Sequence, residues 1–210
     1  MLDNIEVLFH SSIKFNFSNK KIYIDPYGLQ ESTKDADIIF ITHDHYDHFS
    51  INDIEKIKKK DTVFILPKSM NEKAIKSGIE TDKIIEVEPN KEYKYQELKF
   101  KTIPSYNINK KFHTKDNNWV GYIIEVNNIR YYIAGDTDIT PESKNVICDI
   151  AFVPIGGTYT MNFKEAAKLV NEIKPKIVVP IHYGEVVGTK QDAEKFKSIL
   201  NKKIECVIMI

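Results

Sequence analysis

A chain of 210 residues, 42% hydrophobic and 29% charged, is long enough to bury one sizeable core and has the composition of an ordinary soluble domain. Lys plus Arg and Asp plus Glu stand at 30 each, so the formal net charge is zero, which argues against a long polyanionic partner such as nucleic acid. No apolar run approaches the ~20 residues that cross a bilayer, and the start MLDNIEVLFHSS lacks the basic and apolar stretches of an export signal. The expectation is a cytoplasmic protein with no membrane partner.

The first third reads as short strands. EVLFH (6–10), IKFNF (13–17) and KIYID (21–25) are apolar-rich, with Asn19 in the turn between the last two. ADIIFIT (36–42) is a near-continuous β-branched run, the pattern of a strand covered on both faces, and it leads directly into HDHYDH. Ser50 followed by Asp53 predicts a capping box opening a helix over 51–60, then a strand TVFIL (62–66) and a helix near 69–77 that ends at Gly78. The middle is β-rich: IIEVE (84–88), EYKYQELKFKTI (92–103), WVGYIIEV (119–126) and IRYYIAG (129–135), with Asn127–Asn128 as a two-residue hairpin turn. DIAFVPI (149–155) is a further buried strand. Asn162 with Glu165 opens a helix that Pro175 stops at about 174, KIVVPI (176–181) returns to strand, Thr189 with Asp192 opens a helix to about 201, and IECVIMI ends the chain.

This order suits two mostly β layers with helices on the outer faces, in one domain spanning 1–210 without linker or repeat. Cys148 and Cys206 lie far apart in apolar settings and read as buried free thiols, which fits a reducing compartment. The segment 104–118 is the longest without periodicity, and loops of that size are often functional. GGTYTM (156–161) admits two readings, a plain tight turn or backbone N–H groups approaching an anion.

His43, His45, Asp47 and His48 fall within six residues directly after the buried strand 36–42. Alternate residues of an extended segment point the same way, so His43 and His45 can reach one ion, and Asp47 and His48, after the turn, a second. Imidazole and carboxylate together suit zinc, and also Fe, Mn or Ni. The bland alternative is four polar loop residues with no shared duty. A chance match to this pattern in such a composition has odds of roughly one in three thousand, and the four groups would be hard to satisfy without an ion or a dense hydrogen-bond network. Asp136, a carboxylate at the end of a strongly apolar strand, would be costly to bury without a cation.

THDHYDH resembles the H-x-H-x-D-H signature of the metallo-β-lactamase superfamily, and further landmarks follow in the family's order. IYIDPYG (22–28) is similar to its early I-D-P segment, YYIAGDTD (131–138) to its strand-end G-D segment and VVPIHYG (178–184) to its final strand-end histidine, while FHSSIKF resembles the start found in the lactonase-like branch. The resemblance implies an α+β fold, a four-layer αββα sandwich of two mixed β-sheets with helices on the outer faces. It implies two divalent metal ions, zinc foremost, with His43 and His45 on the first and Asp47, His48 and His182 on the second. Asp136 would bridge them, and Asp25 would stand behind the ligands and fix a ring tautomer; for His10 a place beside the metals and a structural role stay open. One slot departs from the pattern: where the family has a third histidine for the first metal this chain reads PSYN, placing Asn107 there with His113 six residues on. His113, Asn107 or water then completes that site.

The implied activity is hydrolysis by metal-bound hydroxide of an ester-type bond, a lactone or phosphoester, in a small substrate, with Asp47 and Asp136 as the catalytic carboxylates. The alternative, prompted by Asn107, is a non-hydrolytic protein that buffers or senses a transition metal.

Overall fold

The structure is a computed structural model that describes residues 2–17 and 19–210. It divides into two compact units, 1–87 and 88–210, each built on its own sheet.

In the first unit the strands are β1 (Ile5–Phe9), β2 (Ser12–Phe17), β3 (Lys20–Ile24), β4 (Ala36–Phe40), β5 (Lys58–Pro67) and β6 (Ile84–Val87), hydrogen-bonded in that order. β1 to β3 form an antiparallel meander, and β3 to β6 run parallel. β4 is therefore an interior parallel strand, which is why its sequence is apolar on both faces: Ile38, Ile39 and Phe40 are all buried. Helices α1 (Ile51–Ile57) and α2 (Asn71–Lys76) cover one face, packing Ile54, Ile57 and Ala74 against Ile39, Ile41, Phe64 and Leu66. α1 is three residues shorter than the expected 51–60 because Lys58 turns extended and begins β5; Thr62 Oγ accepts the Lys59 N–H and donates to Ala36 O, drawing the chain into the sheet. Its cap is also one-sided rather than a reciprocal box. Ser50 Oγ accepts from the Asp53 N–H, but the Asp53 carboxylate accepts from Ser50 Oγ and from the backbone N–H groups of Gly28 and Leu29. The helix expected near 69–77 is a single 3-10 turn, Lys68–Met70, running into α2, with Gly78 at φ +87° past its end.

The second unit contains β7 (Glu92–Tyr95), β8 (Leu98–Pro104), β9 (Val120–Val126), β10 (Ile129–Ile133), β11 (Ile150–Pro154), β12 (Ile177–Ile181) and the two-residue β13 (Glu205–Cys206). They lie in the order β13-β12-β11-β10-β9-β8-β7, antiparallel from β7 to β10 and parallel from β10 to β13. The run 92–103 proves to be a hairpin with Gln96 in the left-handed region, φ 53°. Asn127 and Asn128, at φ 51° and 61°, make the tight turn expected between β9 and β10. α3 (Phe163–Ile173) opens with a complete capping box of Asn162 and Glu165 and stops at Lys174, before Pro175; α4 (Lys190–Ser198) ends earlier than expected. Ala166, Leu169 and Val170 of α3 and Ala193 and Phe196 of α4 pack on Tyr132, Ala151, Val153 and Val178.

The expected class is therefore met: α+β, two mixed sheets and four α-helices among the described residues. Cys148 is buried, Cys206 is half-buried, and both are free thiols. Among the described residues no helix is long and apolar enough to cross a membrane. In each sheet the parallel strands deliver their carboxyl ends to one edge, the place where open α/β sheets carry ligands. In the first unit that edge holds Asp25 and residues 41–48; in the second it holds Asp136, the 155–161 turn and His182.

Candidate metal centre

In the first unit, β3 is followed by Asp25, whose N–H donates to Phe40 O at 3.0 Å and whose φ is 47°. Asp25 is buried and collects hydrogen bonds from the segment that follows β4: Thr42 N–H at 2.8 Å, Thr42 Oγ–H at 2.6 Å, and His48 Nδ1 at 2.8 Å. A carboxylate only accepts, so His48 carries a proton on Nδ1 and turns Nε2 away from Asp25. The single hydroxyl proton of Thr42 goes to Asp25, so its oxygen accepts from His43 Nδ1, 3.0 Å away, and His43 likewise presents Nε2. That Nε2 lies 3.1 Å from His45 Nδ1. The turn that follows is held by His48 N–H and Phe49 N–H, both donating to His45 O, with Phe49 buried as its anchor. It sets the His48 ring against that of His43, centroids 4.0 Å apart, and ligand-type atoms of the two lie within 4.8 Å. Asp47 Oδ2 stands 3.4 Å from His10 Nε2 and 3.8 Å from His48 Nε2. His10, at the β1–β2 corner with φ 53°, is fully buried and stands beside Asp47.

In the second unit, Asp136 follows β10 after Ala134 and Gly135, and its Oδ2 is flanked by His113 Nε2 at 3.2 Å and His182 Nε2 at 3.1 Å. His182 leaves β12 at φ 57°. Gly156 is required there because a Cβ would sit 2.3 Å from His182 O, and the Gly157 N–H donates to Met161 O, so the two glycines serve a tight turn. The 104–118 loop brings Asn107 and His113 together rather than offering them as alternatives. Asn107 N–H donates to His113 O at 2.7 Å, while Asn107 Oδ1 lies 3.1 Å from both the His113 backbone N and Nδ1.

The loop is pinned to residues 136–142 by Tyr106 and by charged groups that its sequence does not single out. Lys110 pairs with Asp138, which also accepts the Ile108 N–H, and Lys115 pairs with Glu142, which accepts Tyr106 O–H at 2.8 Å. Burial alone would push the Glu142 carboxyl up, but Lys115 and the Tyr106 hydroxyl outweigh it and hold it below its ordinary range. Thr42, the hub of the first cluster, was also missed; the signal available was a hydroxyl residue ending an otherwise apolar strand immediately before the histidines.

Two features of these sets suit a divalent cation. Nitrogen or oxygen ligands about 2.0–2.1 Å from a tetrahedral ion stand about 3.3–3.4 Å apart, close to the 3.1–3.4 Å seen at His43–His45, His10–Asp47, His113–Asp136 and His182–Asp136. The donor types, imidazole with carboxylate, are those of zinc and its neighbours in the first transition row.

A family model described as a beta-lactamase superfamily domain matches residues 4–182. A protein of Lysinibacillus sphaericus named UPF0173 metal-dependent hydrolase is 32% identical, over 91% of this chain and 89% of its own. One of the same name from Thermococcus onnurineus is 32% identical over the same shares. A crystal structure from Parabacteroides distasonis, of a protein named for metal-dependent hydrolysis, has a TM-score of 0.86 at 32% identity, covering 97% of this chain and 91% of that one.

Proposed function

The chain belongs to the β-lactamase superfamily and is a metal-dependent hydrolase, and from that premise we propose that both donor sets serve one binuclear centre, zinc foremost, that cleaves an ester-type bond, a lactone or phosphoester, in a small substrate. The observation that carries this reading is the direction of the His48 ring: Asp25 takes its Nδ1–H, which turns Nε2 toward the Asp47 carboxylate. A lone pair aimed at an anion is a stable arrangement only with a cation or a proton between them.

His43, His45 and His113 would hold the first ion, Asp47, His48 and His182 the second, and Asp136 would touch both. Divalent cations bound there supply Lewis acidity and bring the pKa of water from 15.7 down to about 7. The protein's own part is orientation and proton handling. Asp25 and Thr42 keep two imidazoles in a single tautomer, as outer partners of metal-bound histidines do. Asp47, with 10% of its side chain exposed against 3% for Asp136, would be the carboxylate suited to take the proton of the attacking water, at the oxygen other than the Oδ2 that faces His10 and His48. A chain with balanced charge and free thiols fits a small metabolite in a reducing, cytoplasmic setting rather than nucleic acid.

The test is metal analysis of chelator-stripped protein reloaded with zinc, manganese, iron or nickel, followed by turnover of bis-p-nitrophenyl phosphate, p-nitrophenyl acetate and simple lactones. Two ions per chain and chelator-sensitive turnover of one ester class are expected. Bound metal with no turnover in any class would overturn the ester reading in favour of a metal-buffering protein.

A further inference from the structure

We infer that Asn107 is a positioning residue that locks the His113 ring in one tautomer and aims its Nε2 at Asp136, and so sets the affinity of one of the two proposed ions. This rests on the metal-binding reading of the preceding section. The amide's orientation follows from chemistry. Tyr159 O, 2.9 Å away, only accepts, so it faces the Asn107 Nδ2, and the His113 backbone N–H only donates, so it faces Oδ1. The ring nitrogen at 3.1 Å from that same Oδ1 is then the protonated one. Nε2 then faces Asp136, 3.2 Å from its Oδ2. Asn107 and His113 are both buried, so water does not readily replace this contact.

The arrangement also accounts for the departure in the sequence. A histidine reaching from a six-residue excursion needs a fixed end, and Asn107 closes that excursion with three hydrogen bonds, one to His113 O and two from the His113 N–H and Nδ1. Trp119 limits the ring from its edge, centroids 5.6 Å apart. The loop has other anchors that do not involve Asn107: Lys110 on Asp138, the Ile108 N–H on Asp138, and Lys115 on Glu142. Removing the amide should therefore free the ring while the loop stays docked.

The experiment titrates Zn²⁺ and Co²⁺ against a chelating dye in the wild type, Asn107→Ala, Asn107→Asp and His113→Ala, and records the cobalt visible spectrum. Asn107→Ala should weaken one of two ions 10–100-fold, the range for loss of an outer partner of a ligand histidine, and alter the cobalt bands. Asn107→Asp keeps the acceptor at Oδ1 while setting an oxygen against Tyr159 O, so it should recover part of the loss, which a merely structural defect would not. Wild-type affinity for both ions in Asn107→Ala, or an aspartate no better than alanine, overturns the inference. Should the wild type bind no cation at all, the metal reading itself falls; should His113→Ala lose one ion while Asn107→Ala keeps both unchanged, only the role of Asn107 falls.

Discussion

Asp25 accepts three hydrogen bonds from two residues, and a carboxamide cannot accept all three. Asp25→Asn should therefore release the His48 tautomer and weaken metal binding about 10–100-fold, measured by chelator competition; unchanged affinity would remove Asp25 from that role. His48→Ala and Asp136→Ala should each reduce bound metal from two ions to one while the far-ultraviolet circular dichroism stays near that of the wild type, and full occupancy in both would refute their assignment as ligands. The sequence makes the first cluster easy to find because its donors share one short segment. His113 was harder to place, since its approach depends on the path of an irregular loop and on an amide that holds it, neither of which follows from spacing. Tyr106 likewise lies buried beneath the loop because its hydroxyl reaches Glu142, 36 residues on.

The connections between elements rest on carboxylates used as tethers. Asp53 ties α1 to the 28–29 backbone and to Lys56, so Asp53→Ala leaves two backbone N–H groups without that acceptor and should cost about 1–3 kcal/mol in urea unfolding. Asp35 ties the approach to β4 back onto β3 through Lys21 at 2.6 Å and Tyr23 at 2.8 Å. Burial would raise its carboxyl, but Lys21, Thr33, Tyr23 and Lys14 outweigh that and bring it down to about 2 from 3.8. A depressed carboxylate contributes stability that is present above its unfolded pKa and lost as the pH falls through the folded one. Wild type should thus exceed Asp35→Asn by about 1 kcal/mol near neutrality, discounted for solvent screening, and the gap should close between pH 4 and 2. Strands were the most legible elements, since β-branched runs bounded by turn residues have few other uses. The ends of α1 and α4 were not, because their last turns read as helical until a strand partner or a polar cap claims the backbone. The β7–β8 turn also escaped notice, for Gln96 adopts a positive φ that glycine or asparagine usually announces.

For the whole chain, two β layers with outer helices follow from the order of strand and helix patterns and the α+β class from the family resemblance, whereas the shortness of β13 follows from neither, because IECVIMI is as apolar as any strand before it. Ions that bind only the folded protein stabilise it by mass action, so stripping them should lower the calorimetric melting temperature and restoring zinc should return it; a melting point indifferent to chelator would count against bound metal in the native state. The two thiols provide an independent clock for the second unit. Burial pushes Cys148 up to about 12 and Cys206 up to about 11. Little Cys148 thiolate is then present at neutral pH, and alkylating reagents attack the ionised sulfur. Iodoacetamide labelling of Cys148 should follow the transient opening of the sheet against α3, so its rate in graded urea reads out the free energy of that opening without any reporter being introduced.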